Sequence, residues 1–267
     1  MLSLRHNQNM KERTFESKAD SSCCLVHLVN QSGIAFCYEC IPQENLKHTI
    51  LPSGCMELVF VFNKMENRVV LVGPTKKVST IVDDPLNTRL FGVAFMPAIV
   101  PYPWNDDILF GETFHQRYKL GHPMAEQIFA TQDFFERIQL ILSYYQKHLP
   151  KLNPFVKELL GAIGEQKGNV LLNDLYDDFG YSRQYANYIF KTNVGVSPKS
   201  FCKVFRFQNI IYHFIKGFDN QHFNTLVKAC GYYDQPHMNK EFKEFTDSSP
   251  EVFLHENQKY LNNIQFI

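Results

Sequence analysis

Residues 171–191 read LLNDLYDDFGYSRQYANYIFK, and residues 222–245 read HFNTLVKACGYYDQPHMNKEFKEF. In the first stretch Leu172, Leu175 and Phe179 recur at helical spacing and stop at Gly180, a residue that accepts the left-handed backbone of a sharp turn. Ser182 follows, and its hydroxyl oxygen suits an N-cap, accepting a hydrogen bond from the free amides of a second helix. That helix is expected to bury Ala186, Ile189 and Phe190 and to turn Arg183, Gln184, Tyr185, Asn187, Tyr188 and Lys191 outward. The second stretch repeats the pattern. Phe223, Leu226, Val227 and Cys230 make an apolar face, Gly231 turns the chain and Asp234 is a natural cap. Pro236 sits in the first helical turn, where its missing N–H costs nothing. The helix then buries Met238, Phe242 and Phe245 and presents Gln235, His237, Asn239, Lys240 and Lys243. A Ser-Pro pair closes each unit (Ser197-Pro198, Ser249-Pro250), and the two caps lie 52 residues apart. One such helix pair is more often structural than functional. Two in tandem, each with hydrogen-bonding side chains in the first turns of its capped helix, are helix-turn-helix units and point to double-stranded DNA.

The chain between the units supports that expectation. Pro198 opens a helix that can run to Lys216, and its side at Phe201, Val204, Phe205, Gln208, Ile211, Tyr212 and Ile215 reads as core. At 1.5 Å per residue it spans roughly 27 Å, which with the width of the flanking units matches the roughly 34 Å between successive major-groove windows. One chain is therefore expected to read a site of about 16–20 base pairs without a palindrome. Arg183, Gln184 and Asn187 are the base-reading candidates of the first helix, and Gln235, His237 and Asn239 those of the second, since Arg suits guanine and Asn or Gln suits adenine. Lys191, Lys199, Lys203, Lys240 and Lys243 are assigned to phosphates; Tyr185, Tyr188 and the caps Ser182 and Asp234 complete the surface. Plain alternatives stand beside these: His237 as an ordinary surface histidine, Arg183 and Lys191 as solvated charges.

The net charge is zero, so a DNA surface requires segregated charge. Residues 151–267 hold 13 Lys and Arg against 12 Asp and Glu, yet residues 183–216 carry six basic residues and no acidic one. The acidic side chains fall mainly elsewhere, at Asp177, Asp178, Glu241 and Glu244.

The texture changes towards the N-terminus. Short runs rich in Val, Ile and Phe at 23–29, 34–40, 55–63, 68–72, 77–82 and 89–95 are separated by Gln31-Ser32-Gly33, Pro52-Ser53-Gly54, Gly73-Pro74 and Asp83-Asp84-Pro85. That is the signature of an antiparallel sheet folded as a sandwich or barrel, and the three prolines of 96–104 make that segment irregular. From Pro123 the period lengthens, with a helix around 134–145, Asp133 near its start and Lys147-His148 near its end, and from Pro150 to the end the chain reads as all-helical. A helix over 154–163 precedes the glycines at 161, 164 and 168, which suggest a loop. The expected fold is thus a multidomain α+β chain. A mostly antiparallel β domain at 1–150, helical in its C-terminal part, precedes an all-α domain at 151–267 with two helix-turn-helix units joined by a central helix. The helices of 123–149 are expected to pack between the two, and 134–145, apolar on more than one face, is a candidate homodimer seam.

Composition narrows the class. Apolar residues at 45% and charged residues at 20% suit a soluble globular protein, and 24 Phe with 13 Tyr allow large cores or an aromatic pocket. Residues 1–18 show no signal peptide and no run reaches a membrane span, so a cytoplasmic protein with reduced, free cysteines is expected. The seven cysteines include Cys23-Cys24, Cys37-x-x-Cys40 and Cys55. One CxxC in a predicted strand is a weak metal signal, and no cofactor or metal is assigned. No P-loop, GxGxxG, HExxH or GxSxG motif occurs, which leaves enzyme chemistry without support.

On the strings GYS…FKTNVGVSPKSF and GYYDQPHMNKEFKEFTDSSP, residues 171–255 resemble the C-terminal DNA-binding domain of the AraC/XylS family of bacterial transcription regulators. LPSGCMELVFVF…LFGVAFMP resembles an N-terminal sensor-like domain fused to that module in some bacteria. The resemblance implies a transcription regulator that responds to a small-molecule effector through its N-terminal domain, touching RNA polymerase if it activates. Two alternatives are an effector-independent regulator governed by a partner protein, and a thiol- or zinc-dependent repair or redox sensor, since some relatives carry an N-terminal four-cysteine zinc site. Several positions depart from the family pattern. Tyr176 and Ala186 reverse a small–large pair between the helices of the first unit, which preserves volume if the Tyr176 ring packs on Ala186. Gln184 and Tyr188 replace frequent arginines, which weakens phosphate clamping there. Pro236, Met238 and Lys240 stand for Ser, Phe and Arg, and Thr246-Asp247-Ser248 lacks the usual glycine, so base preference does not carry over.

Overall fold

The computed structural model describes residues 24–41, 48–74, 77–81, 88–101, 103, 118–148, 152–218, 223–262 and 264–266. Among the described residues, strands come first: β1 (Cys24–Gln31), β2 (Ile34–Cys40), β3 (His48–Ile50), β4 (Glu57–Asn63), β5 (Arg68–Val72), β6 (Ser79–Ile81), β7 (Thr88–Phe95) and β8 (Tyr118–Leu120). Helices follow: α1 (Ala125–Ala130), α2 (Phe134–Tyr145), α3 (Pro154–Glu165), α4 (Leu172–Asp178), α5 (Arg183–Val194), α6 (Pro198–Ile215), α7 (Phe223–Ala229), α8 (Gln235–Thr246) and α9 (Pro250–Asn262). A last strand, β9 (Ile264–Phe266), ends the described chain.

The main sheet has the order β8-β5-β4-β7-β2-β1-β9, with β3 and β6 paired separately. Period-two alternation in β4 sends Leu58 and Phe60 to one face and Val59 and Val61 to the other, and both faces are buried. On the first face Phe60, Phe91 and Phe95 meet Ile128 of α1 and Phe134, Ile138, Ile141 and Tyr145 of α2. So α1 and α2 cover the sheet, whereas the sequence placed them between the two halves. The extra apolar positions of α2 explain themselves the same way, because Leu140 and Leu142 pack on that core as well.

The halves meet elsewhere. Residues of the β3–β4 connection, the segment before β6 and the one after β7 lie against α6 and α8. Val78 N–H donates to the Phe245 carbonyl at 2.9 Å, Gln208 Nε2 donates to the Pro52 carbonyl, and Lys77 Nζ lies 3.1 Å from Asp247 Oδ1. At Gly54 a Cβ would lie 2.2 Å from Cε2 of Phe201, so only a hydrogen fits beneath that ring.

Three further expectations need correction. The chain is not helical to its end: β9 pairs in parallel with β1, Cys24 opposite Ile264 and Val26 opposite Phe266, covering an otherwise open sheet edge. A run of three residues carries no period that a sequence reading can detect. The cysteines are not all free either, because Cys24 and Cys40 oppose each other across β1 and β2, 4.3 Å between Cα atoms, and are joined as a disulfide. Cys37, Cys202 and Cys230 are buried free thiols, Cys55 is buried and outside this disulfide, and Cys23 lies outside the described residues. Finally, α3 continues through Gly161 and Gly164 to Glu165, and the turn falls at Lys167 and Gly168. Among the described residues no helix is long and apolar enough to cross a membrane.

Candidate nucleic-acid interface

The first unit is built on a shared core. Tyr176 of α4 and Ala186, Phe190 and Val194 of α5 are buried with Phe155, Leu159 and Ile163 of α3 and with Phe201 and Phe205 of α6. Tyr176 is 2% exposed and Ala186 fully buried, as the reversed size pattern requires. Gly180 turns at φ 65°, Ser182 Oγ accepts from Tyr185 N–H at 3.3 Å, and Gly195 ends α5 at φ 87°. The second unit repeats this. Gly231 turns at φ 80°, Asp234 Oδ1 accepts from His237 N–H at 2.8 Å, and Met238, Phe242 and Phe245 of α8 pack on Phe207, Phe214, Phe223 and Leu226. Between them α6 is 18 residues long, capped by Ser197, whose Oγ accepts from Ser200 N–H at 3.2 Å.

With the apolar faces spent on these cores, the polar faces are left outward. Arg183, Gln184, Asn187, Tyr188 and Lys191 share one side of α5 at about 100° per residue. Ser182, Arg183, Gln184, Tyr185, Tyr188 and Lys191 are exposed, and Asn187 is half-buried with its amide donating to the Arg183 carbonyl at 2.7 Å. Tyr188 is 65% exposed, large for an aromatic residue that a core would welcome. On α8 the side chains of His237, Lys240 and Lys243 are exposed, as is the cap Asp234; Gln235 and Asn239 are half-buried. Gln235 Nε2 lies 3.4 Å from Glu251 Oε1, and His237 Nε2–H donates to Glu241 Oε1 at 3.2 Å. Lys199, in the first turn of α6, is exposed.

Charge is less segregated than the basic run 183–216 implies. Lys203 lies 2.6 Å from Glu244, and Arg206 is buried against Glu241, so neither is a spare cation. Glu241 is 4% exposed. Burial disfavours the Arg206 charge, but the hydrogen bonds and charge of Glu241 outweigh it and raise its pKa above the usual arginine value. These partners lie 35 and 41 positions apart, a separation at which no local pattern links them. The exposed cations that remain beside the reading faces are Arg183, Lys191, Lys199, Lys240 and Lys243.

Thiol and metal chemistry find little here. Burial pushes the Cys37, Cys55 and Cys230 thiols up to about 12 and Cys202 to about 11, far from the thiolate form that nucleophiles and ligands need. Among the described residues no three His, Cys, Asp or Glu side chains converge to hold a metal ion, so the zinc-site reading lacks a donor set there.

Residues 175–256 match the family of helix-turn-helix domains. No curated protein matches the chain. Similar solved structures include ToxT from Vibrio cholerae, 11% identical over 82% of this chain and 96% of that one with a TM-score of 0.47. They also include wild-type ToxT with a bound unsaturated fatty acid, 12% identical over 82% and 93% of the two chains with a TM-score of 0.45. With two capped helix pairs carried on one connecting helix, residues 175–256 are a helix-turn-helix domain of the tandem, AraC type.

Proposed function

We propose that one copy of this chain reads two successive major grooves of duplex DNA, α5 in one and α8 in the next, and regulates transcription from that site. The observation that carries this reading is the pair of exposed polar helix faces, each beginning at a side-chain cap and each held on the same 18-residue helix. Arg183, Gln184 and Asn187 read bases from α5; Gln235, His237 and Asn239 read them from α8. Lys191, Lys199, Lys240 and Lys243 meet phosphates. Lys203 is the weakest of the phosphate contacts assigned from sequence, because a phosphate there competes with Glu244. Arg183→Ala tests the assignment. It is expected to cost about 1–3 kcal/mol on the preferred site and to relax one position. Equal weakening on random DNA would remove α5 from base readout.

The N-terminal half, residues 1–150, acts in this reading as a sensor that controls the module of 151–267. The seam between them supports it, because an apolar cleft lies there between Ser53, Gly54, Cys55 and Pro97 on one side and Phe201, Val204, Phe205 and Gln208 of α6 on the other. A shift of the N-terminal half at this seam would act directly on α6, the helix that carries both reading units. The protein acts where the DNA is, in a bacterial cytoplasm. Contact with RNA polymerase, if the protein activates, rests on the family resemblance, and the helix read as a homodimer seam, α2, spends its extra apolar positions Leu140 and Leu142 on the sheet core.

A further inference from the structure

One guanidinium ties the two reading units together. Arg206 projects from the middle of α6 and is 8% exposed. Its Nη2 donates to Glu241 Oε1 at 2.7 Å and Oε2 at 2.9 Å, and its Nε donates to Oε2 at 3.0 Å, which fixes α8 on one side. Its Nη1 donates to the Gly168 carbonyl, in the turn that leads from α3 into α4 and the first unit. The Tyr232 ring, in the turn before α8, lies 5.4 Å from the guanidinium carbon. Glycine lets the two turns close on each other. A Cβ at Gly231 would lie 2.6 Å from the Lys167 carbonyl oxygen, at a backbone φ of 80° that favours glycine in any case. The carboxylate held by Arg206 also accepts from His237, in the first turn of α8, so the contact reaches the face that meets DNA.

A buried ion pair stabilises little more than apolar groups of the same volume would, so fold stability does not account for this one. Orientation does. Arginine presents a flat fork of donors at fixed angles, which satisfies a carboxylate along one edge and a carbonyl on another. We propose that Arg206 is a positioning residue for DNA recognition, setting the spacing and angle between α5 and α8 so that both enter their grooves together. This rests on the two-groove reading above. Two binding elements on one scaffold gain from each other only as far as the scaffold holds them at the right separation.

The test uses the full chain with Arg206→Met and Glu241→Met together, which leaves no lone charge buried. Affinity is measured on a duplex selected from random DNA by the wild type, on the same duplex with either half scrambled, and on duplexes with a few base pairs inserted between the halves. Scrambled duplexes should bind as they do to wild type. The intact site should bind about tenfold more weakly, and the penalty for insertion should shrink, because a loosened pair has no preferred spacing. Circular dichroism checks the fold. If the double variant does not fold, Glu241→Gln, which keeps the shape and loses the charge, should give the same pattern more mildly. Retention of the wild-type insertion penalty, or equal weakening on every duplex, would overturn the proposal. A wild type that binds the intact site no better than a scrambled one would overturn the two-groove reading, and this inference with it.

Discussion

Lys203 Nζ sits 2.6 Å from Glu244 Oε2, so a cation on the connecting helix that sequence assigns to a phosphate is already held by α8. Lys203 is only 24% exposed, whereas Lys191 stands clear on α5. Lys191→Ala should flatten the dependence of log affinity on log salt by about 0.9, one phosphate's worth, while Lys203→Ala should leave it nearly unchanged. Titrations on one duplex over a salt series decide this. A larger loss of slope at Lys203 would show that DNA displaces the carboxylate.

Tyr176 is buried in the first unit with Phe155, 6.4 Å between ring centroids, and its hydroxyl has no hydrogen-bond partner. Tyr176→Ala should therefore leave a cavity and cost on the order of 3–4 kcal/mol. Tyr176→Phe should be neutral or stabilising, since it removes a buried polar group that is unsatisfied. Urea unfolding of both variants checks the pair. A costly Tyr176→Phe would mean that the hydroxyl is bonded in solution.

Most of the helical module and much of the sheet were legible from sequence because local chemistry marks them. Ser182 and Asp234 cap helices where the side-chain pattern says they should, and the connecting helix ends one residue from the expected Lys216. The strands at 34–40 and 68–72 match to the residue. What was missed depends on partners distant in the chain. β9 exists only because β1 offers an edge, Arg206 meets Glu241 only once α6 and α8 have packed, and Cys24 opposes Cys40 only through the β1–β2 register. Residues 1–18 and Pro150, where the expected domain boundary falls, lie outside the described residues.

His122 is buried beside Phe60 and Tyr145. Its Nδ1 accepts from Met124 N–H at 3.1 Å, which leaves Nε2–H to donate to Tyr145 Oη at 3.1 Å, so the neutral tautomer fits. Burial lowers its pKa to about 4. Unfolded histidine titrates near 6.5, so between about 6.5 and 4 the unfolded chain binds the extra proton and stability rises with pH. The contribution is complete above that window and lost as pH falls through it, on the order of 3 kcal/mol in all. His122→Gln should remove this slope from urea midpoints measured across the window; a slope unchanged by the substitution would place the titration in another group.

Gly54 lies beneath the Phe201 ring across the seam, where a Cβ would meet Cε2. Gly54→Ala should push the Phe201 ring aside and weaken docking of the two halves by about 1–3 kcal/mol, as overpacking does. Hydrogen exchange should then quicken at Val78, whose amide bonds the Phe245 carbonyl, without quickening within β4 and β7. Exchange that quickens throughout the sheet instead would mean that Gly54 serves the N-terminal core.

The central claim is that a single copy reads DNA through two helices, and selection from random duplexes followed by footprinting at known stoichiometry tests it most directly. The account predicts one chain per duplex and two unrelated preferred blocks about 10 base pairs apart, both protected on one face of the DNA. Arg183→Ala should relax one position in one block and Asn239→Ala one position in the other. A single block, or a palindrome occupied only by two chains, would contradict it.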